Sequence, residues 1–346
     1  MNKIKNIKIS CSYGLTITEL MVDLVLSALV ISSALGLYVN YKRSFNYQTN
    51  IVFLYQNAKT AYDYLNDDLQ LSGFYGCDST PSTVQYAITP GFDYDFSNPT
   101  TANEANSTGF NSNFSLASPT AGWTPALQGQ MTTVSSPNPG SDVLTLRFAD
   151  TNPLGVLSAD TIGSSLSSVG IQNNIKVGDQ LLISDCRRTV IFQVGSLSTD
   201  TLVPTASVGS LNSGAEIYKL NVNSYYVKTA NNIPSLYRLR NGTEEILVPY
   251  VENLQIIYGQ DTNGDGIADD YNTGDMLSTA PIEVIGISMM MRSIDKHTIS
   301  PSTTTFKMFT APPALQMTST INVTNDKYVR KIFDFNLNFP NTGGDV

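Results

Sequence analysis

The chain has 346 residues, of which only 14% are charged, and a formal net charge of −9. No concentrated basic surface is visible, so phosphate-directed nucleic-acid binding is disfavoured. The single histidine, His297, excludes multi-histidine zinc sites and leaves a Ser-His-Asp triad only that residue to rest on.

Residues 1–14 (MNKIKNIKISCSYG) are basic and polar, and from Leu20 to Val39 the chain is apolar except for Asp23 and small or hydroxylated residues. About 20 such residues cross a bilayer core as a helix. The positive-inside rule places the lysines in the cytoplasm and everything after Tyr41 outside. A secretory signal carries its small-residue cleavage site after the apolar run, whereas here the small residue, Gly14, precedes it.

Helical spacing continues beyond the apolar run. Leu54, Ala58, Ala61, Leu65 and Leu69 recur at intervals of three and four residues, and no proline interrupts before Pro81. Gly73 is a suitable C-cap, so the pattern predicts a helix of roughly 55 residues, about 80 Å long, ending near Ser72. After Cys77 the pattern becomes strand-like, with candidate strands at 143–148, 180–184, 190–194, 216–222, 225–228, 235–240, 254–258 and 284–292. Residues 89–141, rich in Asn, Ser, Thr, Pro and Gly and holding the lone Trp123, read as a long decorated loop. The expected fold class is α+β: a long N-terminal helix, then a mainly antiparallel sheet head with long loops. Its segments are 1–14 (leader), 15–39 (apolar helix), 40–73 (amphipathic helix) and 74–346 (head).

The join Gly14, Leu15, Thr16, Ile17, Thr18, Glu19 resembles the signal of type IV prepilins and type II secretion pseudopilins: a basic leader ending in Gly, then an apolar segment with Glu fifth after the cut. The resemblance implies cleavage after Gly14 by a prepilin peptidase, N-methylation of Leu15, and a Glu19 that pairs with a neighbouring subunit's terminal ammonium to set register in a fibre. An intramembrane acid costs roughly 2.5–3.5 kcal/mol on insertion scales, so such residues usually have partners. Asp23 adds a second acid one turn later on the same face. It either stays solvated or protonated at shallow depth, or pairs with a specific subunit. Ser32, Ser33 and Gly36 mark a place where the helix could loosen or pack closely.

A narrower resemblance lies in QNAKTAYDYLNDDLQLSGFYGC (56–77), SDCRRTVIFQV (184–194) and the stretch from Val251 to Arg292, which together are similar to PilW-type minor pilins. This implies a non-enzymatic inner-membrane subunit with a periplasmic head, taking part in pilus assembly or its initiation at the tip. It would support adhesion, twitching motility or DNA uptake. Its implied partners are other minor pilins, the major pilin, the assembly platform and a tip adhesin. The alternatives are a type II secretion pseudopilin and a membrane-anchored adhesin or carbohydrate-binding protein.

Removing the leader discards Cys11 and three lysines, bringing the mature charge to −12 and leaving Cys77 and Cys186. An even pair outside the cytoplasm reads as a disulfide. Finally, DTNGDGIADD (261–270) has the start of an EF-hand-like calcium loop, with Asp261, Asn263, Asp265, the Ile267 carbonyl, Asp269 and Asp270 as candidate ligands. The twelfth position is Asn272 rather than Glu, and its flanks read as strands. An Asn-Gly and Asp-Gly hairpin turn accounts for the same residues.

Overall fold

The computed structural model describes residues 16–72, 74–77, 84–87, 100–104, 138, 140–163, 165–169, 175–198, 201–240, 243–272, 282–296, 304–309, 319–323 and 326–338. The chain forms two compact units, Met1–Val52 and Phe53–Val346. One helix, α1 (Ile17–Leu71, 55 residues), contributes to both.

In the first unit, α1 is apolar over a length sufficient to cross a membrane, and none of that stretch is buried within the chain. In the second unit, the face predicted from spacing is the buried one: Leu54, Ala58, Ala61, Leu65 and Leu69 are at most 2% exposed. Fully burying a leucine contributes about 1.5–3 kcal/mol, so this stripe is a substantial part of the attachment between helix and sheets.

The strands are β1 (Val84–Ala87), β2 (Thr100–Glu104), β3 (Asp142–Ala149), β4 (Gly155–Leu157), β5 (Thr161–Ile162), β6 (Leu166–Val169), β7 (Gln180–Ser184), β8 (Thr189–Leu197), β9 (Thr201–Pro204) and β10 (Ser210–Leu211). They continue as β11 (Glu216–Ala230), β12 (Ile233–Arg240), β13 (Thr243–Pro249), β14 (Val251–Gln260), β15 (Asp270–Asn272), β16 (Ile282–Lys296), β17 (Thr304–Met308), β18 (Ser319–Val323) and β19 (Tyr328–Asn338). The largest sheet runs β1-β8-β9-β6-β4-β11-β12-β13, with β3 and β7 also on β11, β7 on β8, and β2 on β3. Among the described residues only β1 and β8 pair in parallel within it. A second sheet has the order β15-β14-β16-β19, and β17 pairs with β18.

All eight predicted strands form, and two of them, 216–222 and 225–228, are halves of the single strand β11. This 15-residue strand organises the large sheet by pairing with β3, β4, β7 and β12 at successive positions. One cluster, built on Ile183, Phe192, Leu202 and Ile217, fills the space around β7 and β8. In the second sheet Leu254, Ile285, Ile287, Met289 and Met291 are all fully buried.

The expectation of a continuous loop over 89–141 is corrected at β2, which pairs with β3 from Thr100↔Leu146 to Glu104↔Asp142. The segment TTANE has no alternating apolar pattern, so its strand character comes from pairing with a distant partner. Residues 105–137, including Trp123, lie outside the described residues, as do His297, Gly73, Gly14 and Leu15.

Candidate functional site

At its start, α1 is closed by a reciprocal cap. The Thr16 backbone amide and hydroxyl both donate to Glu19 Oε2 at 3.2 Å, and the Glu19 amide donates to Thr16 Oγ1 at 3.3 Å. This is a Thr-x-x-Glu capping box, which satisfies donors that the first helical turn leaves orphaned. The carboxylate also sits at the positive end of the helix dipole. Sequence reasoning singled out Glu19 but missed Thr16, although the spacing that identifies the box is present in the chain. Asp23, one turn further on, is exposed. Ser32 and Ser33 both donate back to the Leu29 carbonyl, at 3.0 and 2.8 Å, a bonding mode that favours slight helix bending.

In the second unit, the end of α1 is bound to the large sheet by a buried polar cluster. Asp68, 7% exposed, accepts hydrogen bonds from Asn223 Nδ2, from the Tyr225 hydroxyl and, at 3.3 Å, from Arg238 Nη1. The Tyr225 hydroxyl oxygen also lies 3.2 Å from the Tyr64 carbonyl. Burial, and then the charge of Asp68, push the Tyr225 phenol well above its ordinary value, so it remains a donor. Arg238 is shared with Glu245 at 2.7 Å, which supplies its second counter-charge. Further along the helix, Tyr55 meets Phe333 edge-on at 5.3 Å and Phe53 meets Tyr250 at 5.6 Å. Asp68 lies in the DDL stretch of the family-like segment, yet its partners are about 155–170 residues away, so only the fold brings them together.

Just past the helix, Cys77 and Cys186 form a disulfide, with Cα atoms 4.9 Å apart and a sequence separation of 109. It links the end of α1 to the turn between β7 and β8. Around it, Thr189 Oγ1 donates to the Tyr75 carbonyl at 3.2 Å. Gly76 has φ +89°, and a Cβ there would lie 3.0 Å from Ser184 Cβ and 3.1 Å from the Tyr218 ring. Both the left-handed backbone and the close approach therefore require glycine at this position.

The acidic loop closes the hairpin between β14 and β15. Asp261 accepts the amides of Asn263 and Gly264 on Oδ1, and that of Gly266 on Oδ2 at 2.8 Å. Asn263 and Asp265 each accept the amide two residues on, those of Asp265 and Ile267. Asp269 accepts the Thr262 hydroxyl at 2.6 Å, and Asp270 accepts Asn272 Nδ2 at 2.7 Å. These amides, that of Gly266 foremost, hold the Asp261 carboxyl below the usual carboxylate range. Such Asx turns are what an Asn-Gly and Asp-Gly hairpin is made of. Among the described residues no three His, Cys, Asp or Glu side chains converge so as to hold a metal ion. In this arrangement Asp261, Asn263, Asp265, Asp269 and Asp270 turn oxygens to donors of their own hairpin.

With this geometry in place, the comparisons bear on the head. Residues 224–341 match the family model of Type IV Pilus-assembly protein W (PilW). The match runs from β11 through β19, and so extends beyond Arg292, where the resemblance legible in the sequence ended, while starting after 56–77 and 184–194. No curated protein matches the chain.

Proposed function

From that match, which supports a PilW-type protein of the type IV pilus, we propose that the chain is a non-enzymatic minor pilin acting in pilus assembly or its initiation at the tip. The family match is the observation that carries this reading. An exposed apolar helix long enough to cross a membrane is consistent with a pilus-associated membrane protein. The precursor sits in the inner membrane with its head in the periplasm. Prepilin peptidase cuts after Gly14 and methylates Leu15, and the assembly platform then moves the apolar helix from lipid to a bundle of pilin helices. Both environments are apolar, so the transfer of side chains is nearly neutral and packing decides it.

Glu19 gives that transfer its register. In a low-dielectric fibre its carboxylate pairs with the terminal ammonium of a neighbouring subunit, among the other minor pilins or the major pilin. Its engagement with Thr16 supports the reading in one respect, because the carboxylate is held at the helix start, where an incoming ammonium would meet it. Adhesion, twitching motility or DNA uptake, and a tip adhesin as partner, follow from the same assignment.

The test has two arms. Mass spectrometry of the processed protein is expected to show a chain beginning at N-methylated Leu15, and an intact leader in cells with active peptidase would sink the cleavage step. Glu19→Ala is expected to leave processing and head stability unchanged while reducing the subunit's recovery in sheared pili at least about tenfold, the loss of one buried charge pair. Undiminished recovery would remove the register role.

A further inference from the structure

On the side of the head where β12, β14 and β16 approach β18, there is an open cavity of about 570 Å³, within the range of ligand sites. Its charge comes from a cluster on β14, β16 and β19. Arg330 donates to Glu252 at 3.0 Å and to Asp326 at 2.7 Å, engaging both carboxylates in a forked arrangement. Glu252 is shared between two arginines: Arg292 is ion-paired to it with Nη1 3.6 Å from Oε1, without a hydrogen bond, and the buried Arg292 Nε has no hydrogen-bond partner among the described residues. One Arg292 donor is spent on the Asn232 carbonyl at 2.7 Å, and the guanidinium lies over the Tyr328 ring at 4.4 Å. A guanidinium offers five donors, so this one, fixed by stacking and 14% exposed, keeps capacity unspent at the cavity wall.

A second observation concerns shape. Ile321, Asn322 and Val323 all line the cavity. Consecutive strand residues face opposite sides, so three in a row place the cavity along the edge of β18. Among the described residues β18 pairs only with β17, leaving that edge open. Among the described residues the wall offers Asn side chains and the apolar Met290, Ile321 and Val323, and none of those lining it is aromatic. This mixture suits a peptide.

We propose that this cavity binds an extended acidic peptide segment of a partner protein, its backbone laid along the edge of β18 and one Asp or Glu carboxylate on Arg292. Strand addition supplies main-chain hydrogen bonds, and the charged contact supplies selectivity. The site is independent of the cleavage and register steps above and would stand if they failed.

The test uses the purified full chain in detergent and two capped pentapeptides, Thr-Val-Asp-Val-Thr and Thr-Val-Asn-Val-Thr, with glucuronic acid as a third probe. Binding is followed by the side-chain amide resonances of Asn232, Asn253 and Asn322. The Asp peptide is expected to bind about tenfold more tightly than the Asn peptide, the worth of one charge-assisted contact. Arg292→Gln should erase the difference. Asn322→Asp, on an exposed strand position, should weaken the Asp peptide selectively with the fold intact, and serves if Arg292→Gln disturbs folding. Equal binding of the two peptides, no binding of the Asp peptide, or an unchanged preference in Asn322→Asp overturns the proposal. Tighter binding of glucuronic acid than of the Asp peptide overturns the assignment to a peptide.

Discussion

The two halves of α1 are continuous in backbone and opposite in chemistry. From Ile17 to Val52 the large apolar side chains Leu24, Leu26, Leu29, Ile31 and Leu37 are each more than half exposed within the chain, whereas Leu54, Leu65 and Leu69 are essentially inaccessible. Hydrogen bonding is the same in both, so what differs is the surroundings each half requires. From Leu20 to Val39 the first is apolar on all sides except for Asp23 and small or hydroxylated residues, and calls for an apolar medium, lipid or other helices. The second has one apolar stripe and finds its partner in its own head. A single helix can thus belong to two environments without a break, provided the change in patterning falls where the environment changes.

This contrast can be attacked from the head side first. Cys186→Ser is expected to have the largest effect: for a closed loop of this length, chain entropy gives a loss of about 4–5 kcal/mol, read as a fall in the denaturation midpoint under oxidising conditions. An unchanged midpoint would mean that the contacts around Gly76 and Thr189 hold the junction without the covalent link. Leu65→Ala should cost about 2–5 kcal/mol in the same assay, while Leu26→Ala, measured in detergent, should stay within about 0.5 kcal/mol of the parent. Comparable losses at the two positions would erase the distinction between the halves.

The polar part of the junction gives a smaller expected effect. Asp68→Asn keeps the size of the side chain but removes the charge facing Arg238, and turns an amide donor toward groups that themselves donate. A loss of about 2–3 kcal/mol is expected, with the Tyr225 fluorescence or resonance altered and the distant Asp326 unaffected. The smallest effect is a pH shoulder. The hydrogen bond from Arg330 lowers the Asp326 pKa below its ordinary 3.8. A depressed carboxylate stabilises the fold above its unfolded value and loses that contribution as pH falls through the folded one. Asp326→Asn should therefore reduce stability by less than about 1 kcal/mol at neutral pH, and the gap from the parent should close in strong acid. A gap that persisted there would point to packing rather than charge.

Much of this was legible in the sequence, because the informative patterns are local. The buried stripe of α1 follows from helical spacing, its end near Ser72 from Gly73, and seven of the strands, though not β13 or β19, from runs of β-branched and aromatic residues. The cysteine pairing was legible only as an even count outside the cytoplasm. Short strands such as β2 and β4 were not readable, since they owe their state to partners far along the chain. The Thr16 cap could have been read from its spacing and was overlooked beside the functional interest of Glu19. The Asp68 and Arg292 clusters could not, because no local rule joins a helix to the strands it packs on, or residues of strands far apart in sequence. The acidic loop shows the converse: one sequence pattern is compatible with a calcium cage and with a hairpin turn, because both draw on the same Asp and Asn oxygens.

The bond between Cys77 and Cys186 also has a mechanical meaning. A pull along α1 enters the head through the buried stripe from Leu54 to Leu69, and beyond Leu71 the segment Phe74–Cys77 carries what remains. The disulfide carries that load directly into the turn between β7 and β8, where it is shared by strands hydrogen-bonded to β11 and, through it, by the whole large sheet. The head can be dragged by its stem without the stem being stripped from it.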